Sequence, residues 1–168
     1  MIKLKSLLKE YLQEVEYLYH FTHSSSIKSI LQKNKLIADI PNDIRSFPDD
    51  YPTELHNRKS VSLTANSYME AFGDFRIRLD RKKLQSDYEL IEFSDPSLTS
   101  DYEREVIVLE DIIHLDKYII DITCLYFTDD DDYETERTNT VIEEIKAEYG
   151  DDIDIKVLYN KGFEDNRL

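Results

Sequence analysis

The sequence predicts an α+β fold, and three observations carry that expectation. Apolar residues repeat with helical spacing near both ends of the chain, at 2–15 and 138–149. Between them lie several short apolar segments, of which Phe75-Arg76-Ile77-Arg78-Leu79-Asp80 alternates strictly, as a half-buried strand does. These segments do not follow the regular strand–helix–strand order of a parallel α/β fold. Three glycines are also too few for the glycine-rich phosphate turn of a doubly wound nucleotide fold. The 168 residues suit one domain able to bury a core.

In chain order, Ile2, Leu4, Leu7, Leu8, Tyr11, Leu12 and Val15 form one stripe, so 1–16 is expected to be an amphipathic helix packed on the domain. A strand is expected at 17–22. Ser24-Ser25-Ser26 then offers helix N-caps, and the helix carries Ile27, Ile30 and Leu31 inward before ending near Asn34. A short strand follows at 36–40. The polar stretch 39–59, with Pro41, Pro48 and Pro52, is the longest irregular segment, a length often tied to function. A strand at 60–64 leads to a short helix at 66–72, stopped by Gly73. Strands are expected at 75–80, 88–93, 105–109 and 117–127, with an acidic break at 129–136 that opens on four consecutive aspartates. A helix at 138–149, with Val141, Ile142 and Ile145 inward, and a strand at 154–159 close the chain.

Composition excludes several classes. Hydrophobic residues make up 40% of the chain and charged residues 34%, a soluble globular balance. The single cysteine, Cys124, sits in an apolar run and reads as a buried thiol, with no disulfide framework. His20, His23, His56 and His114 are scattered without metal-ligand spacing, so no metal is expected. No segment approaches the ~20 apolar residues of a membrane span, and the N-terminus lacks the apolar centre of a signal peptide. A cytoplasmic protein with no membrane partner is therefore expected. The net charge of −15 repels nucleic-acid backbones, although Arg76, Arg78, Arg81, Lys82 and Lys83 form a local basic group.

Three segments hold residue types suited to chemistry. Tyr19-His20-Phe21-Thr22 ends a strand just before a helix, where one imidazole nitrogen can meet a ligand hydroxyl while the protein holds the other. In Ser60-Val61-Ser62-Leu63-Thr64 alternation puts three hydroxyls on one side, able to orient a carboxylate or a ribose. Tyr68 and Phe72 follow at helical spacing. Asp101-Tyr102-Glu103-Arg104-Glu105 opens an apolar strand with paired carboxylates, which suit stabilising a cation or moving protons. Singly, each has a plain structural reading: a core histidine, an edge strand with core aromatics, a solvated charged turn.

Their order resembles the ADP-ribosyltransferase superfamily. A first strand there reads Tyr-His-x-Thr before a helix of the form Ile-x-x-Ile-Leu; here Tyr19-His20-Phe21-Thr22 runs into Ile27-Lys28-Ser29-Ile30-Leu31. The middle Ser-x-Thr strand is matched by Ser62-Leu63-Thr64, with aromatics after it. The late Glu-x-Glu followed by Val-Ile is matched by Glu103-Arg104-Glu105-Val106-Ile107. The stretch 61–84 is also similar to small phage and bacterial members. Many relatives have glycine where this chain has Phe21.

The resemblance covers roughly 17–125. It implies one domain over 1–168, a split of two small antiparallel or mixed sheets around an NAD cleft, and cleavage of the nicotinamide–ribose bond with transfer of ADP-ribose. His20 and Thr22 would hold the adenosine-side ribose, Ser62 and Thr64 would also contact the cofactor, and Tyr68, or Phe72 in its place, would stack on nicotinamide. Glu105 would meet the nicotinamide ribose and Glu103 the acceptor, although the acidic pair also reads in a register that makes Glu103 the catalytic residue. NAD is then a co-substrate and no metal is needed. The acceptor is an unspecified macromolecule, with protein favoured over nucleic acid by the charge. Two alternatives stand beside this: an RNA 2′-phosphotransferase, and a non-catalytic acidic interaction protein, a DNA mimic or phage-encoded inhibitor.

Overall fold

A computed structural model describes residues 16–40, 58–65, 73–94, 104–127, 132–150 and 153–160. The expected helix at 66–72 lies outside them, as does the one at 1–16 except for Glu16. Within them the strands are β1 (Tyr17–Thr22), β2 (Lys35–Leu36), β3 (Val61–Thr64), β4 (Phe75–Asp80), β5 (Ile91–Ser94), β6 (Arg104–Val108), β7 (Ile112–Ile113), β8 (Ile119–Phe127) and β9 (Ile155–Asn160). The helices are α1 (Ser24–Lys33), α2 (Arg81–Asp87) and α3 (Asp132–Tyr149). The α+β class is therefore as expected from the hydrophobic pattern.

Seven strands form one mixed sheet in the order β5-β6-β3-β1-β4-β8-β9, and β2 pairs with β7 in a second, two-stranded sheet. Only β8–β9 is parallel in the large sheet; a parallel neighbour requires a crossover, and α3 supplies it. Two small sheets were expected; hydrogen bonding instead runs through all seven strands. The junction in the middle is thin, however. β1 pairs with β4 from Tyr17↔Asp80 to Thr22↔Phe75, and β3 pairs with β6 from Val61↔Val108 to Thr64↔Glu105. β1 and β3 meet at the single pair Tyr19↔Thr64. The sheet thus has two halves, β5-β6-β3 and β1-β4-β8-β9, with β1 and β3 parting beyond Tyr19.

Residues opposite one another in a ladder share a face. One face carries Leu18, Leu63, Phe75, Ile77, Leu79, Val106 and Ile122, all buried, and the core cluster they form includes Ile27 and Leu31 of α1, Leu84 of α2, and Ile142 and Ile145 of α3. The other face carries the row Glu105, Thr64, Tyr19, Arg78 and Asp121. Cys124 is buried on the core face opposite Phe75, as its apolar surroundings predict. Among the described residues no helix is long and apolar enough to cross a membrane.

Several boundaries differ from those expected. α3 begins at Asp132, inside the expected acidic break, because acidic residues are favourable at the positive end of a helix dipole. α2 occupies 81–87, started by Asp80, whose carboxylate accepts from the Lys83 amide at 3.0 Å. β5 consequently starts at Ile91 instead of 88. The expected strand at 36–40 is shorter, β2 ending at Leu36, and Asp39 makes an isolated bridge to Ser60. A one-turn helix, Leu115–Lys117, precedes β8, which starts at Ile119 instead of 117.

Candidate functional site

His20 lies on β1 immediately past the Tyr19↔Thr64 pair, where β1 and β3 part. The ladder no longer supplies the Ser62 carbonyl with a β1 amide there, and the imidazole takes that place: His20 Nδ1 donates to Ser62 O at 3.1 Å. A carbonyl only accepts, so Nδ1 carries the proton and, in the neutral ring, Nε2 is left as an acceptor. Burial pushes the His20 pKa below its ordinary 6.5, against the smaller opposing effect of the Ser62 carbonyl. The ring is therefore neutral at physiological pH, and Nε2 is its acceptor nitrogen.

Ser62 is exposed on β3, between buried Val61 and Leu63. Its hydroxyl donates to Glu105 Oε1 at 2.7 Å, a charge-assisted bond that orients the carboxylate. Glu105 is half-buried on β6, directly opposite Thr64, which is itself buried. One residue thus links the first and third sequence motifs: the main chain of Ser62 holds His20 and its side chain holds Glu105.

Of the expected site residues, the structure brings together His20, Ser62, Thr64 and Glu105. Thr22 is buried at the far end of β1, past the point of divergence, where it pairs with Phe75. Glu103, Tyr68 and Phe72 lie outside the described residues. Between the two registers of the acidic pair, Glu105 is the residue seen in contact with Ser62.

Two supports were not legible in the sequence. Gly73 has φ +141°, and a Cβ there would lie 2.3 Å from the Thr22 carbonyl oxygen, so only glycine lets the chain pass the end of β1. Next to it, Asp74 Oδ2 accepts from the Ser24 amide at 2.9 Å and Oδ1 meets His23 Nδ1 at 3.4 Å. A carboxylate from β4's approach therefore caps α1 in place of the serines expected to do so; His23 holds the N-cap position, and its own side chain makes no capping bond to the helix. Both contacts join residues about fifty apart, so no local pattern announces them.

On the same sheet face as Glu105, Arg78 and Lys156 both bond Asp121, which is nearly fully buried. Arg76 donates to Thr123 Oγ1 at 3.1 Å and lies over the Tyr19 ring at 5.3 Å, and Arg78 lies over Tyr17 at 4.7 Å. Among the described residues no group of three His, Cys, Asp or Glu side chains could hold a metal ion. Comparison with protein-family models, with curated proteins and with solved structures gives no match.

Proposed function

We propose that the protein is an NAD-dependent ADP-ribosyltransferase that cleaves the nicotinamide–ribose bond and transfers ADP-ribose to an acceptor. The observation that carries this reading is the Ser62 link, which ties His20 of β1, opposite core Ile77, and Glu105 of β6, on the other face, to the strand between them where the sheet divides. The residues fit the substrate. His20 Nε2 can accept from a ribose hydroxyl, and the Glu105 carboxylate can accept from the 2′-hydroxyl of the nicotinamide ribose.

In this mechanism the bond from ribose C1′ to the nicotinamide nitrogen breaks and its electron pair leaves with nicotinamide. Positive charge develops on the ribosyl centre and is discharged when the acceptor's nucleophile bonds C1′ and gives up its proton to solvent. A carboxylate fixed beside that centre stabilises it more in the transition state than in the ground state, which is what accelerates a reaction. The Ser62 hydroxyl serves by holding Glu105 in place beforehand. The half-buried setting strengthens the effect, because less water screens the charge. The acceptor is proposed to be a protein, since the net charge of −15 repels polyanions.

Glu105→Gln keeps the side chain's shape and removes its charge. Nicotinamide release, followed by chromatography, is expected to fall on the order of 10²–10³-fold while NAD binding persists. Parent protein that neither binds millimolar NAD nor releases nicotinamide would overturn the proposal. Undiminished turnover in Glu105→Gln would remove Glu105 from the mechanism.

A further inference from the structure

The two halves of the large sheet are tied a second time, far from the Tyr19↔Thr64 pair. Arg81 directly follows β4 in one half, and its guanidinium is ion-paired with Glu92 on β5, the outer strand of the other half. In a flat sheet β4 and β5 stand four strand spacings apart in the observed order, about 19 Å, more than the two side chains can span. The halves must therefore incline toward each other on one face. Register identifies that face. Glu92 lies opposite Val106, and Arg81 continues the buried alternation Phe75, Ile77, Leu79. Both are on the core face.

Position and burial make this contact more than a surface ion pair. The Arg81 side chain is 8% exposed and that of Glu92 42%, and among the described residues Arg81 Nε has no hydrogen-bond partner, so Glu92 supplies a compensating charge from the half-buried side of the pair. The pair also closes a short segment: α2 and the three residues after it carry the chain from one half to the other, and Arg81 and Glu92 stand at its two ends. His20 belongs to the β1 half; Ser62 and Glu105 belong to the β3–β6 half. The His20–Ser62 bond crosses from one half to the other where they part, so the inclination of the halves bears on that bond.

We infer that the Arg81–Glu92 pair is a strut that fixes the angle between the two half-sheets, and through it the opening between β1 and β3 beyond Tyr19, where His20 and Glu105 are both tied to Ser62. Both are positioning residues. The consequence for NAD rests on the function proposed above; the geometric role does not.

The test places spin labels at Lys59→Cys, beside β3, and Glu143→Cys, on α3 against the other half; both positions are exposed. Cys124 does not interfere, since it is fully buried and its thiol is pushed up to about 12 by burial. With Glu92→Gln the inter-label distance distribution is expected to shift and broaden. The dissociation constant and KM for NAD should rise about threefold to tenfold, with kcat changing less. Glu92→Asp keeps the charge on a shorter arm, so it should keep the distribution narrow but move its mean inward. That variant decides the matter if Glu92→Gln does not fold. Parent-like distances in whichever variants fold would overturn the strut. Shifted distances with unchanged NAD affinity would overturn its link to the site. Failure of the parent to bind NAD would defeat the proposed function and leave the distances to judge the strut alone.

Discussion

Ser62 acts twice, with its main chain toward His20 and its hydroxyl toward Glu105, and the state of His20 follows from the first contact. Desolvation holds the imidazole below 6.5 in the folded protein, while the unfolded chain titrates near that value. Between the two values the unfolded state binds a proton that the folded state does not. Stability therefore rises with pH there, is fully present above 6.5, and is lost as pH falls toward the folded value. His20→Gln cannot titrate. Compared with it, the parent should lose unfolding free energy in urea melts below pH 6.5, and a constant difference between the two across that range would show that His20 is not buried as a neutral ring. On the proposed function, NAD affinity should fall in the same window, because a proton on Nε2 abolishes the acceptor proposed for the ribose.

At the scale of elements, the contact between Gly73 and the end of β1 is the least tolerant feature around the site. A Cβ at 73 would meet main chain and not a flexible side chain, and φ +141° is strained for any other residue. Gly73→Ala should cost at least about 2 kcal/mol of stability, read from the urea midpoint, and should weaken NAD binding by shifting β1 near His20. A parent-like midpoint would mean that the chain passes β1 differently. The contrast with β4 shows what the sequence could reveal. Phe75, Ile77 and Leu79 declare their strand by alternation alone, because one face is buried and the other is not. His20, Ser62 and Glu105 were legible as candidates because each sits in a short motif beside a strong apolar pattern. Their meeting was not, since it depends on strands that pair 42 and 43 residues apart. α2 was missed because its seven residues bury only Arg81 and Leu84, too few to show a period. Gly73 and Asp74 act through contacts about fifty residues distant, and their neighbours in sequence give no sign of it.

For the whole molecule the dominant fact is charge, 36 acidic against 21 basic residues. Such a surplus repels itself and raises the free energy of the compact state. Salt shortens the range of that repulsion to roughly 10 Å at 0.1 M, so the melting temperature should rise as salt is added. The same field opposes an incoming pyrophosphate unless cations near the site outweigh it. On the face shared with Glu105, Arg78 and Lys156 are both engaged by Asp121, which leaves little local positive potential from that pair. NAD binding should therefore tighten with added salt, the reverse of the steep weakening shown by proteins that neutralise phosphates with free cations. Isothermal titrations from about 20 mM to about 500 mM salt test this. Weakening with salt would mean that the sheet face supplies net positive charge to the ligand, that the Arg78–Asp121–Lys156 group opens on binding, and that a phosphate-rich acceptor becomes the better expectation than a protein one.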